Sequence, residues 1–311
     1  MTVRDIVRKA WQVTQVHLKK LIWYGTVPAF FSTLVSTVYL AYQYHAFQTS
    51  TLFTGKNPDI GNSIRQVWGL VSDHPKLAVF LAVTAALVFA GYTVLPPIFH
   101  GALIHALIRI KNYEPISGSF EIGLRRFFPM FEFAVISGSF SIISIVTEGS
   151  FVLRWWGVNV FFFVLPIFIF IAMVGLIASF LFTYAEFFIV IDNKRVIKSI
   201  GESVILVISN LRKTILVFIL MLLISARIIL NVILVLLIPM GVVALGGYLA
   251  SIFISTVGIV LITIFCIAAF MVTSYLMGLF NVFSTAVWVY TYALLAHKEN
   301  VPIKDVDLTH N

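Results

Sequence analysis

The chain reads as an all-α protein, a polytopic membrane bundle of about six transmembrane helices with amphipathic interfacial helices on its cytoplasmic side. Three observations predict this. Of 311 residues, 60% are hydrophobic and only 11% charged, with a mean hydropathy of +1.02. A soluble domain carries about 25% charged residues, so this chain cannot cover itself in water but can do so in lipid. Second, apolar segments approaching or exceeding the roughly 20 residues needed to cross a bilayer core recur along it. Third, Lys and Arg gather in alternate loops, as the positive-inside rule requires of cytoplasmic ones.

The whole chain, 1–311, is read as one integral membrane domain. Residues 1–20 form an N-terminal amphipathic helix: Val7, Ala10, Trp11, Thr14 and Leu18 recur at three-to-four spacing, with Arg4, Arg8 and Gln12 on another face. No cleavage pattern follows the first apolar run, so it is read as an uncleaved span. Spans are placed at about 21–47, 76–108, 130–147, 158–190, 214–238 and 252–296. The segment 48–75 is the sizeable extracytoplasmic loop, with a short helix near Ile64–Val71, and 297–311 is a cytoplasmic tail. At about 1.5 Å per residue the last span measures about 67 Å, over twice a bilayer core. It must therefore kink, break or project into the cytoplasm, with Gly278 and Asn281 marking the place; a seventh span there is the competing topology.

Basic residues fix the orientation. Five lie in 1–20, four in 109–130, five in 192–213 and two in the tail, against Lys56, Arg65, Lys76 and Arg154 on the other side. Both termini are thus read as cytoplasmic, in a prokaryotic plasma membrane. The net charge of +8 is assigned to loops facing anionic lipid, and no nucleic-acid partner is implied. Trp23, Tyr24, Trp155, Trp156, Trp288, Tyr290 and Tyr292 stand at span ends, where lipid anchoring is the expected role. The single cysteine, Cys266, is read as a small packing residue.

A weak threefold pattern runs through the chain. Two further amphipathic stretches carry stripes at Phe120, Leu124, Phe127, Phe128 and Phe131, and at Ile197, Ile200, Val204, Val207, Ile208 and Leu211. Asn112–Ile116 matches Asn193–Ile197, and an offset of 81 residues superposes Glu121 on Glu202. The unit is an interfacial helix, an outward span and a returning span. The pattern Lys194-x-x-x-Lys198-Ser199-x-x-Glu202-Ser203, then Asn210-x-x-Lys213 and a span, resembles the membrane domain attached to some glycerophosphoryl diester phosphodiesterases. It is also similar to that domain's stand-alone six-helix relatives. The resemblance implies a fold and a membrane location. It carries over no active site, because that family's catalytic domain is soluble and nothing like it stands here.

Candidate functional residues are few. Arg227 lies about 21 Å along a helix past Lys213, deep enough that its charge needs a partner or a hydrated cavity. Glu148 and Glu186 are its candidate partners, and Asn231 lies one turn on. The alternative for Arg227 is snorkelling to the outer surface. His100 and His105 sit five apart, roughly 140° around a helix, which disfavours joint metal ligation. Pro96-Pro97 and Pro166 either shape packing or free backbone carbonyls. The stripes Ala82/Ala86/Ala90 and Gly247/Ser251/Ser255 suit close helix packing, within the chain or against another subunit.

No phosphate loop, His-Glu-x-x-His, cysteine pair or nucleophile elbow is present, and no cofactor or metal is expected. The leading functional expectation is a non-enzymatic accessory or organising subunit, or a lipid-interacting scaffold. Its partners would be anionic membrane lipids and a homo- or hetero-oligomeric complex. A small transporter or channel around Arg227 is the alternative. A lipid-modifying enzyme is third, and its signature would be Glu132, Glu186 or Asp192 converging with a histidine.

Overall fold

A computed structural model describes residues 3–48, 65, 68–69, 71–226 and 255–296. All regular structure among them is helical. The chain order is α1 (Val3–Val16), α2 (Leu18–Gln48), α3 (Pro75–Lys111), α4 (Ser119–Arg125), α5 (Phe127–Ser139) and α6 (Ile142–Trp155). It continues with α7 (Gly157–Leu181), α8 (Ala185–Val190), α9 (Val196–Ser209), α10 (Leu211–Ala226) and α11 (Ser255–Ala296). α2, α3, α7 and α11 are each long and apolar enough to cross a membrane. Two bent pairs, α5 with α6 at 47° and α9 with α10 at 99°, raise the count to six if each is one span. The chain is a multi-pass membrane protein.

Several sequence expectations need correction. The third span is not one helix over 130–147 but a pair broken at Phe140–Ser141, with the Phe140 carbonyl held against α7 at Gly175. The fourth span ends at Leu181, and a turn separates it from the short α8. α11 does not break at Gly278 or Asn281; it runs unbroken for 42 residues, about 63 Å. Gly278 serves a different end. It faces Gly25 and Thr26 of α2 so closely that an added Cβ would lie 2.5 Å from Thr26 Oγ1 and 2.6 Å from its Cα. Lipid supplies no hydrophobic drive between helices, so small residues that admit backbone contact hold such crossings.

The short helices pack by their small faces. α1 lies on α11, α4 on α3, and α9 on α8 and α7. The buried pairs are Ala10 and Thr14, Ser119 and Gly123, and Ser199 and Ser203, each four residues apart. A Cβ on Gly123 would sit 2.8 Å from the backbone of Ala102. The bulky stripes noted in sequence are divided: Phe120, Leu124, Phe128, Ile197 and Ile208 are exposed, whereas Val207 is fully buried. The left-handed residues Tyr113 and Asn193 and the buried pairs align at an offset of 80, one residue from the offset of 81 suggested by Glu121 and Glu202.

One core joins the ends of the helices that carry the basic loops. Leu103, Ile104 and Leu107 of α3, Phe187 and Ile189 of α8, and Val282, Val287 and Tyr292 of α11 are all fully buried. Ile6 and Ala10 of α1 complete it. Tyr24, Trp288 and Tyr292 therefore are not a lipid belt. Tyr292 stacks among Tyr184, Phe187 and Phe188 with ring centroids 5.0–6.3 Å apart, and Trp288 meets Tyr184 edge-on at 5.9 Å. Trp23 and Trp156 stay exposed, as anchors would. Cys266 is exposed as well, not packed. So are Ala82, Ala86 and Ala90, while Gly247 and Ser251 lie outside the described residues. The described residues of 65–73 are helical; the rest of the loop and the tail lie outside them too.

Candidate functional site: a polar cavity around His100 and Glu186

Four helices line a half-open cavity of about 400 Å³. α2 supplies Tyr24, Pro28 and Ser32, a stripe at i, i+4, i+8. α3 supplies Pro96, His100 and Leu103 at i, i+4, i+7. α11 supplies Asn281, Ser284, Thr285 and Trp288, again on one helical face. The fourth wall is Glu186, on α8.

Each wall has a local cause. Pro28 and Pro96 interrupt the backbone ladder, which removes the intrahelical donor for the carbonyls of Tyr24 and Tyr92. α8 exists as a separate element because the chain turns at Phe182–Tyr184. Ser203 of α9 stabilises that turn: its Oγ accepts from the Tyr184 N–H at 3.0 Å and donates to the Leu181 carbonyl at 2.7 Å. Both backbone groups are orphans of the helix ends, and the hydroxyl satisfies them. Without the turn Glu186 would continue the α7 spiral; with it, the carboxylate meets α3.

The chemistry centres on one pair. His100 Nε2 lies 3.0 Å from Glu186 Oε2. Their side chains are 34% and 23% exposed, so both reach the cavity rather than the sealed core. His100 sits about 16 Å along α3 from Lys111, at about 1.5 Å per residue. Ionisable groups at such depth are functional-site candidates with a partner to be named, and here the partner is named. Among the described lining residues Glu186 is the one carboxylate, and none is Lys or Arg.

Two further polar clusters frame the bundle. At the α8–α9 junction Lys194 bridges Glu202 and Asp192, the latter at 3.3 Å, and its ammonium lies 4.7 Å over the Phe188 ring. Tyr292 donates to Asp192 at 2.9 Å, which ties α11 to this loop. Burial opposes the Lys194 charge, but the hydrogen bonds to Glu202 and Asp192 outweigh it and hold its pKa above the usual lysine value. At the opposite end Tyr39 meets Thr147 at 2.6 Å. There the Arg154 guanidinium, 5% exposed, bonds the Ser150 carbonyl and lies 5.6 Å over Tyr42. Both clusters read as structural ties between helices.

The predicted residues separate accordingly. His100 and Glu186 come together. His105 turns the other way and meets Ser119 Oγ at 3.1 Å, joining α3 to α4. Glu148 is exposed on α6, and Glu132 is exposed on α5. Arg227 and Asn231 lie outside the described residues, so the pairing of Arg227 with Glu148 or Glu186 does too. Tyr24, Ser32, Ser284, Thr285 and Trp288 were missed as site residues; their signal was polar residues at helical spacing inside apolar helices. Among the described residues no three His, Cys, Asp or Glu side chains form a metal-ligand group. Comparison of the chain with family models, curated proteins and solved structures finds no match.

Proposed function

We propose that this is a non-enzymatic integral membrane protein that holds a small polar ligand in the His100–Glu186 cavity, as a small transporter or ligand-binding subunit would. The observation that carries it is a hydrogen-bonded acid–base pair lining a cavity of ligand size. The site differs from the one suggested by Arg227 alone, but the functional class is the same. The basic loops would face the cytoplasm under the positive-inside rule, in a prokaryotic plasma membrane.

Convergence of Glu186 with a histidine is also the signature set for a lipid-modifying enzyme. Binding is the better reading. Phosphoryl transfer develops negative charge that cationic groups stabilise, and no described lining residue is Lys or Arg. A second reading, the lipid-organising scaffold or accessory subunit, draws on the exposed stripes of α4 and α9 beside Arg125, Arg126 and Lys198. These faces suit the boundary of an anionic leaflet. Purification in mild detergent as a lone monomer with no co-purifying chain counts against that reading.

Native mass spectrometry of the full chain tests the ligand reading. The wild type is expected to release a small molecule or lipid on activation, and Ser284→Trp, which fills the cavity, to release none. Identical spectra for the two proteins would overturn it.

A further inference from the structure

The chemistry of the cavity wall narrows what it can hold, provided the ligand-binding reading above is right. An anion would meet the Glu186 carboxylate with no described Lys or Arg in the lining and only the His100 imidazole beside it; like charges at close range are unfavourable. A cation meets the reverse. Glu186 offers a carboxylate whose partner, the His100 imidazole at 3.0 Å, is a hydrogen-bond donor that a stronger cation can replace. Tyr24 and Trp288 add aromatic walls, which attract ammonium groups. Asn281 and Ser284 add hydrogen-bonding oxygens. A volume of about 400 Å³ far exceeds a bare ion and suits a small organic molecule.

We propose that the cavity binds a small ammonium-bearing ligand, with Glu186 as its counter-ion and Tyr24 and Trp288 as its aromatic walls. The ammonium belongs either to a free amine or to the headgroup of an ethanolamine lipid. In both cases the group held is the same. Asn281, exposed on α11, stands at the rim.

The test uses the full chain in nanodiscs of phosphatidylglycerol, read by the thermal unfolding midpoint. n-Butylammonium and tetramethylammonium are titrated, with n-butanol and butyrate as neutral and anionic isosteres. The amines should raise the midpoint in a saturable way, because a ligand that binds the native state stabilises it, and the isosteres should not. Glu186→Gln should weaken the amine response at least about tenfold, the scale of a lost charge-assisted contact. Asn281→Leu, an exposed position, provides a second variant if Glu186→Gln does not fold. An equal response to butanol or butyrate overturns the ammonium inference and leaves the ligand-binding reading standing. So does an amine response unchanged in both variants. No response to any of the four compounds, with no co-released molecule in the mass spectra, sinks both. Repeating the titration in phosphatidylethanolamine nanodiscs assigns the source. A response suppressed by that lipid, with the lipid retained by the protein, assigns the headgroup; an undiminished response assigns a free amine.

Discussion

The two halves of α3 share one helix and one apolar character, yet they live in different solvents. Before Pro96 its large side chains face outward: Phe80, Leu87 and Phe89 are 65–69% exposed. After Pro97 the pattern inverts, and Ile98, Leu103, Ile104 and Leu107 are at most 5% exposed. Hydropathy does not separate the halves. Small residues occur in both halves, as the exposed Ala82, Ala86 and Ala90 show, but on the packed half Gly101, Ala102 and Ala106 stand where α4 and α8 approach. The polar cavity lies on that packed half, at His100. Burial within this protein thus follows from which neighbour a small residue faces, not from how many small residues a segment holds.

The comparison can be broken most forcefully where backbones touch. Gly278→Val pushes a side chain into Thr26 of α2 and should cost about 3 kcal/mol or more, as overpacking at a close crossing does. The readout is the fraction of monodisperse protein recovered, with unfolding in graded SDS. Leu107→Ala, at a fully buried site on the packed half, should cost about 2–5 kcal/mol through the cavity it leaves. Ser203→Ala strands the Tyr184 N–H and the Leu181 carbonyl and should cost about 1–3 kcal/mol. It should also loosen Glu186, which is visible as faster hydrogen exchange across α8. Leu87→Ala, the matched change on the exposed half, should fall within about 0.5 kcal/mol of wild type. If Leu87→Ala were as damaging as Leu107→Ala, the division of α3 into two surroundings would be wrong.

The sequence was read well where hydrophobic length and charge placement carry the signal. Three of the four long helices fall within a few residues of the expected spans, and the fourth, α7, ends nine residues early at Leu181. It was read poorly where two solvents look alike. Three-to-four spacing picked out apolar residues on α4 and α9, but it did not tell the exposed ones, such as Leu124 and Ile208, from the packed Val207, nor show that Ser119, Gly123, Ser199 and Ser203 would pack beside it. Trp288 and Tyr292 stood at a span end like anchors, yet Asp192 and the α8 aromatics enclose them. A hydroxyl with a partner 100 residues away leaves no local trace. Gly278 signals flexibility in a lone helix and close approach in a pair, and nothing local distinguishes them. The central pair of the site was legible residue by residue, since His100 and Glu186 both stand out as ionisable groups in apolar segments. Their pairing was not, because it depends on the turn at Phe182–Tyr184 that Ser203 stabilises from another helix.

Thiol accessibility tests the central claim, a polar cavity holding the Glu186 carboxylate on the packed half of α3, most directly. In a Cys266→Ala background, Ser284→Cys places one thiol in the cavity and Leu87→Cys one on the exposed half. With water-soluble methanethiosulfonates, Ser284→Cys should react, and a cationic reagent should outpace an anionic one by about tenfold because Glu186 attracts it. Leu87→Cys should be nearly inert toward both, since lipid excludes them. A Ser284→Cys thiol as unreactive as Leu87→Cys, or one that prefers the anionic reagent, would contradict the account.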